Sequence, residues 1–104
     1  MIESLKKIFG LGPKLNYAEL VTKGAVIVDV RTKGEFAGGH IKGSVNIPVD
    51  VLKNNTSRLV DKSKPIITCC ASGMRSGVAK NILRAQGYEQ VYNGGSWISL
   101  KNKI

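Results

Sequence analysis

Apolar residues along the chain fall into a few dense runs, and the period within each run predicts its element. Ala25-Val26-Ile27-Val28-Asp29-Val30 is continuous and β-branched, with no polar alternation. A run of that kind forms a strand covered on both faces, as in a parallel sheet. Pro65-Ile66-Ile67-Thr68-Cys69 is a second such run. Ser44 to Ile47, closed by Pro48, and Gln90-Val91-Tyr92, ended by Asn93-Gly94-Gly95, predict two shorter strands. Between the strong strand at 65–69 and the last one, Val78, Ala79, Ile82 and Leu83 recur at helical spacing. Ala85 and Gln86 follow, with Gly87 as the C-terminal stop, so this is the clearest helix. Asn16 is placed to cap a short helix through Tyr17 to Val21, which Gly24 ends. Val49 to Asn54 reads as a helical turn and Ser96 to Leu100 as a closing turn or helix.

Upstream, Ile2, Leu5, Ile8 and Phe9 lie opposite Glu3, Ser4, Lys6 and Lys7. They predict a short amphipathic helix, set off by the Gly10-Leu11-Gly12-Pro13 break. The chain thus divides into an N-terminal segment over residues 1–12 and one domain over 13–104. Strands alternating with helices make that domain α/β with a mainly parallel sheet. Ligands of such sheets bind beyond the carboxyl ends of the strands, where Asp29-Val30-Arg31 and Cys70 fall.

A length of 104 residues suits one hydrophobic core. No apolar run approaches the roughly 20 residues needed to cross a bilayer. The opening residues lack the uninterrupted apolar core of a secretory leader, so a cytoplasmic protein is expected. The two cysteines, Cys69 and Cys70, are neighbours. Adjacent Cα atoms, about 3.8 Å apart, are too close for an unstrained disulfide, and a reducing compartment follows. One histidine and two adjacent thiols also lack the separated pairs of a zinc site, so no metal is expected. Sixteen basic residues against seven acidic ones leave a net charge of +9. They are spread along the chain without interleaved aromatics or a nucleic-acid motif, so a solvated surface that attracts small anions is expected rather than nucleic-acid binding.

The chemistry lies in Thr68-Cys69-Cys70-Ala71-Ser72-Gly73-Met74-Arg75-Ser76-Gly77. A loop entering a helix turns unpaired N–H groups toward its centre, and the helix end adds partial positive charge. A thiol at the first position, Cys70, faces those donors, which lower its pKa and favour a thiolate near neutrality. Gly73 permits backbone that a Cβ hinders, Arg75 carries a cation able to fork onto oxyanions, and small Ala71 and Ser72 leave the mouth open. The alternative is a Cys70 that is only a small buried hydrophobe at a strand end.

Cys70-Ala71-Ser72-Gly73-Met74-Arg75-Ser76 resembles the active-site loop of rhodanese-like sulfurtransferases. A second stretch matches in the same order: Asp29-Val30-Arg31, Glu35-Phe36, Gly39-His40-Ile41-Lys42-Gly43-Ser44 and Asn46-Ile47-Pro48. The resemblance covers about residues 15 to 98. It implies a three-layer α/β fold, with a five-stranded mainly parallel sheet and helices on both faces. It also implies a persulfide mechanism without a cofactor: Cys70 takes sulfane sulfur from a small anionic donor such as thiosulfate and gives it to cyanide, a thiol or a protein acceptor. In that scheme the amides of Ala71, Ser72, Gly73, Met74 and Arg75 cradle the anion, and Arg75 binds or steers the donor. Asp29, Arg31, Glu35 and His40 are candidates to shape the site from the neighbouring strand end, or to form a fold-stabilising network. Gly94-Gly95 reads as turn geometry and Trp97 as core.

The chain departs from the family pattern at Cys69, where a large apolar residue often stands. Counted from Cys69, the segment has the Cys-x5-Arg spacing of phosphatases and arsenate reductases. Alternation along a strand turns Cys69 away from Cys70, into the packing, which favours Cys70 as the first loop residue. Phosphate or arsenate chemistry at Cys69, a resolving role for its thiol, and a non-catalytic binding module remain the alternatives.

Overall fold

The computed structural model describes residues 15–104. The expected amphipathic helix at 2–9 and the break at 10–13 lie outside the described residues. In chain order the elements are α1 (Tyr17–Thr22), β1 (Val26–Asp29), α2 (Lys33–Ala37), β2 (Val45–Asn46), α3 (Val49–Leu52), β3 (Ile66–Cys70), α4 (Met74–Ala85), β4 (Val91–Ser96) and α5 (Trp97–Lys101). The strands form one parallel sheet in the order β2-β1-β3-β4. The family resemblance implied five strands; among the described residues there are four.

Strand alternation sorts the core into two layers. Val28, Val30, Ile66 and Cys70 face Leu52 of α3 and Ala79 and Leu83 of α4. Ile27, Ile67 and Cys69 face Leu100 of α5, with Tyr17, Leu20 and Val21 of α1 packed alongside. Burial on both sides is why β1 and β3 read as unbroken apolar runs. Among the described residues no helix is long and apolar enough to cross a membrane.

The boundaries differ from the expectation in three places. Helix α2 was not anticipated: its five residues bury none of their side chains. It stands instead on a capping box, with the Thr32 hydroxyl accepting from the Glu35 amide and the Glu35 carboxylate accepting from the Thr32 amide. Strand β3 extends one residue further and takes in Cys70, while α4 begins at Met74, so Met74 and Arg75 belong to its first turn rather than to the loop.

Strand β4, finally, runs through Gly94-Gly95 instead of ending before them. Thr68 pairs with Asn93 and Cys70 with Ser96, so two residues of β4 oppose one of β3. This is a β-bulge, and Gly95 supplies its left-handed residue at φ 79°. Gly94 is required by packing rather than by a turn. A Cβ there would lie 2.8 Å from Ile67 Cγ2, 2.9 Å from the Thr68 carbonyl oxygen and 3.0 Å from Leu100 Cδ2.

Gly94→Ala therefore lowers unfolding stability by about 1–3 kcal/mol through overpacking. Gly34→Ala, inside α2 with nothing within 4 Å of the new methyl, raises it by up to about 1 kcal/mol through helix propensity. Urea denaturation of the two variants beside the wild type tests both signs.

Candidate active site

Cys70 is the last residue of β3, and the turn of alternation that puts it on the α4 side also brings its sulfur under the start of that helix. The Gly73 amide donates to Sγ at 2.9 Å and the Ser76 amide at 3.4 Å, while the Ser76 hydroxyl lies 3.4 Å away. Gly73 reaches the sulfur from a left-handed conformation, φ 102°, that a side chain would strain. The mouth is less open than the small residues suggested. Ala71 and Ser72 are exposed, but Cys70 itself is 0 % exposed, because the loop folds back to bring the Gly73 amide onto the sulfur.

Burial pushes the Cys70 thiol up. Hydrogen bonding with the Ser76 hydroxyl, and bonds from the Ser76, Gly73 and Ser72 amides, outweigh it and hold the thiol below its ordinary value. The amides that reach Sγ itself are those of Ser72, Gly73 and Ser76, the last one residue past the stretch that the resemblance assigns to the anion cradle.

A network from β4 holds the cradle. Asn93 Oδ1 accepts the Ser76 hydroxyl at 2.6 Å and the Gly95 amide at 2.9 Å, and Asn93 Nδ2 donates to the Gly73 carbonyl at 3.1 Å. The bulge places this side chain under the loop, and Thr68 Oγ1 adds a bond to the Ser76 carbonyl at 2.8 Å. The single Ser76 hydroxyl proton goes to Asn93 while Cys70 is a thiol that donates to Ser76. For the hydroxyl to stabilise the thiolate, that proton must turn toward the sulfur. Neither Ser76 nor Asn93 is among the site residues expected from the sequence. Ser76 directly follows Arg75 in the motif, which is a usable signal; Asn93 matters only through a bulge that no local pattern announces.

The residues from the first strand end separate into two groups. Asp29 and Arg31 form a buried pair: Nη2 to Oδ2 is 2.7 Å and Nε to Oδ1 is 3.0 Å. Arg31 also donates to the carbonyls of Glu35 and Gly39, and its guanidinium lies 4.6 Å from the centre of the half-buried Trp97 ring. Asn46 Nδ2 donates to the carbonyls of Asp29 and Arg31, so the group braces the carboxyl end of β1.

Glu35 turns the other way and makes a bidentate pair with Arg75, at 2.7 and 3.0 Å. Arg75 lies near enough to Cys70 and Asp29 to feel their charge, as well as that of Glu35. His40 is exposed, stacks on Phe36 at 3.7 Å between ring centres and bonds the Phe36 carbonyl through Nδ1. It is not brought to the sulfur.

Cys69 faces the opposite layer, buried among Ile27, Ile67 and Leu100. Burial, then the nearby Asp29 carboxylate, push its thiol up to about 12 despite Arg31. The Cys-x5-Arg frame thus has its sulfur on the wrong side of the sheet, and a resolving role meets the same obstacle. A groove of about 590 Å³ beside α2 and α3, lined among others by Lys33, Asn46, Asp50 and Arg58, does not include Cys70. The candidate site is the thiol with its donor ring, apart from that groove.

Residues 14–96 match the family model described as Rhodanese-like domain. An uncharacterized protein of Bacillus subtilis, YqhL, is 41 % identical over 69 residues, 66 % of this chain and 54 % of YqhL. The chain thus spans about half the length of that relative. Thiosulfate sulfurtransferase GlpE of Ectopseudomonas mendocina is 37 % identical over 75 residues, covering 72 % of this chain and 68 % of GlpE. Among solved structures, human single-domain sulfurtransferase TSTD1 superposes with a TM-score of 0.72 at 26 % identity, over 84 % of this chain and 90 % of that one.

Ser76→Ala removes the hydroxyl that can turn toward the thiolate. It shifts the pH midpoint of Cys70 alkylation upward, read as iodoacetamide rate against pH in a Cys69→Ala background. An unmoved midpoint would mean that this contact does not lower the thiol's pKa.

Proposed function

The chain belongs to the rhodanese-like domain family, and on that premise we propose that it is a sulfurtransferase carrying sulfane sulfur as a persulfide on Cys70. The observation that supports this reading most strongly is the sulfur itself, ringed by the Gly73 amide, the Ser76 amide and the Ser76 hydroxyl at the head of α4. A nucleophilic thiolate needs such an environment.

In the first half-reaction the Cys70 thiolate attacks the sulfane sulfur of the donor. A Cys70 S–S bond forms, the donor's S–S bond breaks, and the leaving group takes the bonding pair, as sulfite from thiosulfate or as a thiolate from a persulfide. The terminal sulfur of the new persulfide carries the negative charge, and the loop amides and α4 dipole stabilise it. In the second half-reaction a nucleophile such as cyanide or a thiol attacks that terminal sulfur and restores the Cys70 thiolate. Electrons and charge balance without a cofactor. Since Cys70 is covered, the exposed Ala71-Ser72 segment must shift for a donor to reach Sγ. A compartment that keeps the thiol reduced between turnovers, as the cytoplasm does, suits this cycle.

Incubation with thiosulfate adds one sulfur atom to wild type and to Cys69→Ala, read by intact mass, and cyanide then releases it as thiocyanate. Cys70→Ser gains none. Equal sulfur uptake by Cys70→Ser would overturn the reading.

A further inference from the structure

Arg75 is the guanidinium in the first turn of α4 that a donor oxyanion would meet, yet its two terminal nitrogens already hold the two oxygens of Glu35, at 2.7 and 3.0 Å. The carboxylate occupies the fork in the bidentate manner that a sulfonate or sulfate group would adopt. Glu35 is itself fixed. Its Oε1 accepts from the Thr32 amide and hydroxyl at 3.1 and 3.2 Å, within the capping box of α2. Arg31, just beyond the carboxyl end of β1, is committed to Asp29. Both arginines are therefore charge-compensated by carboxylates of the chain itself. An incoming dianion must displace Glu35 or bind beside a pair with no net charge.

From this arrangement we infer that Glu35 is a specificity-determining residue: it masks Arg75 against oxyanion donors, so that the site takes its sulfur from thiol persulfides in preference to thiosulfate. The inference rests on the sulfurtransferase reading and names the donor class for the same thiol. A persulfide R–S–SH delivers its terminal sulfur and leaves as a thiolate, with no oxyanion at the reacting end to be bound. Thiosulfate leaves as a sulfite dianion, whose oxygens need the cation that Glu35 holds. The mask is present at every working pH, because hydrogen bonds from Arg75 and then Thr32 hold the Glu35 carboxyl down to about 2. Its stabilising effect is complete above the unfolded carboxyl value, roughly 4.3, and is lost only as pH falls toward 2.

The discriminating variant is Glu35→Gln, since glutamine serves a capping box as glutamate does while removing the charge. Steady-state sulfur transfer to cyanide is measured with thiosulfate and with glutathione persulfide as donors, and thermal melting verifies the fold. An exposed charge interaction near 1 kcal/mol corresponds to about fivefold. Accordingly, KM for thiosulfate falls about fivefold with kcat unchanged, while the persulfide KM moves less than twofold. Adding Arg75→Ala to Glu35→Gln abolishes the gain. A thiosulfate KM that stays or rises in Glu35→Gln, or an equal loss with both donors, overturns the inference and leaves the sulfurtransferase reading standing. Failure of wild type to load Cys70 from either donor would instead overturn the sulfurtransferase reading itself.

Discussion

A buried sulfur whose hydrogen-bond donors outweigh its desolvation is the constraint on which the rest of this structure depends. Burial alone drives a thiol toward its neutral form, as it does at Cys69. One residue along the same strand, the Gly73 and Ser76 donors reverse the outcome. Two neighbouring cysteines, neither of them exposed, therefore shift in opposite directions because alternation sends one to the helix N-terminus and the other deeper into apolar packing. The donors stay in place because each is tied elsewhere. Thr68 holds the Ser76 carbonyl, Asn93 holds both the Ser76 hydroxyl and the Gly73 carbonyl, and the bulge in β4 sets Asn93 beneath the loop.

The two carboxylate–guanidinium pairs nearby are chemically alike and physically different. Asp29–Arg31 has side chains 0 % and 5 % exposed, whereas Glu35 and Arg75 are 37 % and 36 % exposed. Breaking a buried pair by removing one partner typically costs about 3–5 kcal/mol, while an exposed pair contributes about 0.2–1 kcal/mol. The buried pair is accordingly a structural clamp on the end of β1, and its removal would damage the fold before it altered chemistry. The exposed pair is weak enough to open, which is what a group regulating access to Arg75 requires.

Much of this was legible in the sequence. Strands β1 and β3 are announced by unbroken β-branched runs, and α4 by Ala79, Ile82 and Leu83 at helical spacing with Gly87 beyond its end. Cys70 could be singled out because a strand, a short glycine-containing turn and a helix are all visible around it. The rest depends on tertiary packing or on signals too short to stand out. Gly94 looks like a turn residue until Ile67, Thr68 and Leu100 are seen to crowd its Cα. Helix α2 buries nothing, so it leaves no hydrophobic period, although Thr32 and Glu35 do carry the capping-box spacing that signals a helix start. The partners of Glu35 and Arg75 stand 40 residues apart and were expected separately, one near Arg31 and the other on a donor.

Hydrogen bonding lowers the pKa of the Cys70 thiol despite its burial. Ultraviolet titration of the thiolate in Cys69→Ala, with Cys69→Ala/Cys70→Ser as the blank, measures it directly. The expected Cys70 midpoint lies below that of a cysteine in an unstructured peptide. A midpoint at or above the peptide value would contradict that lowering.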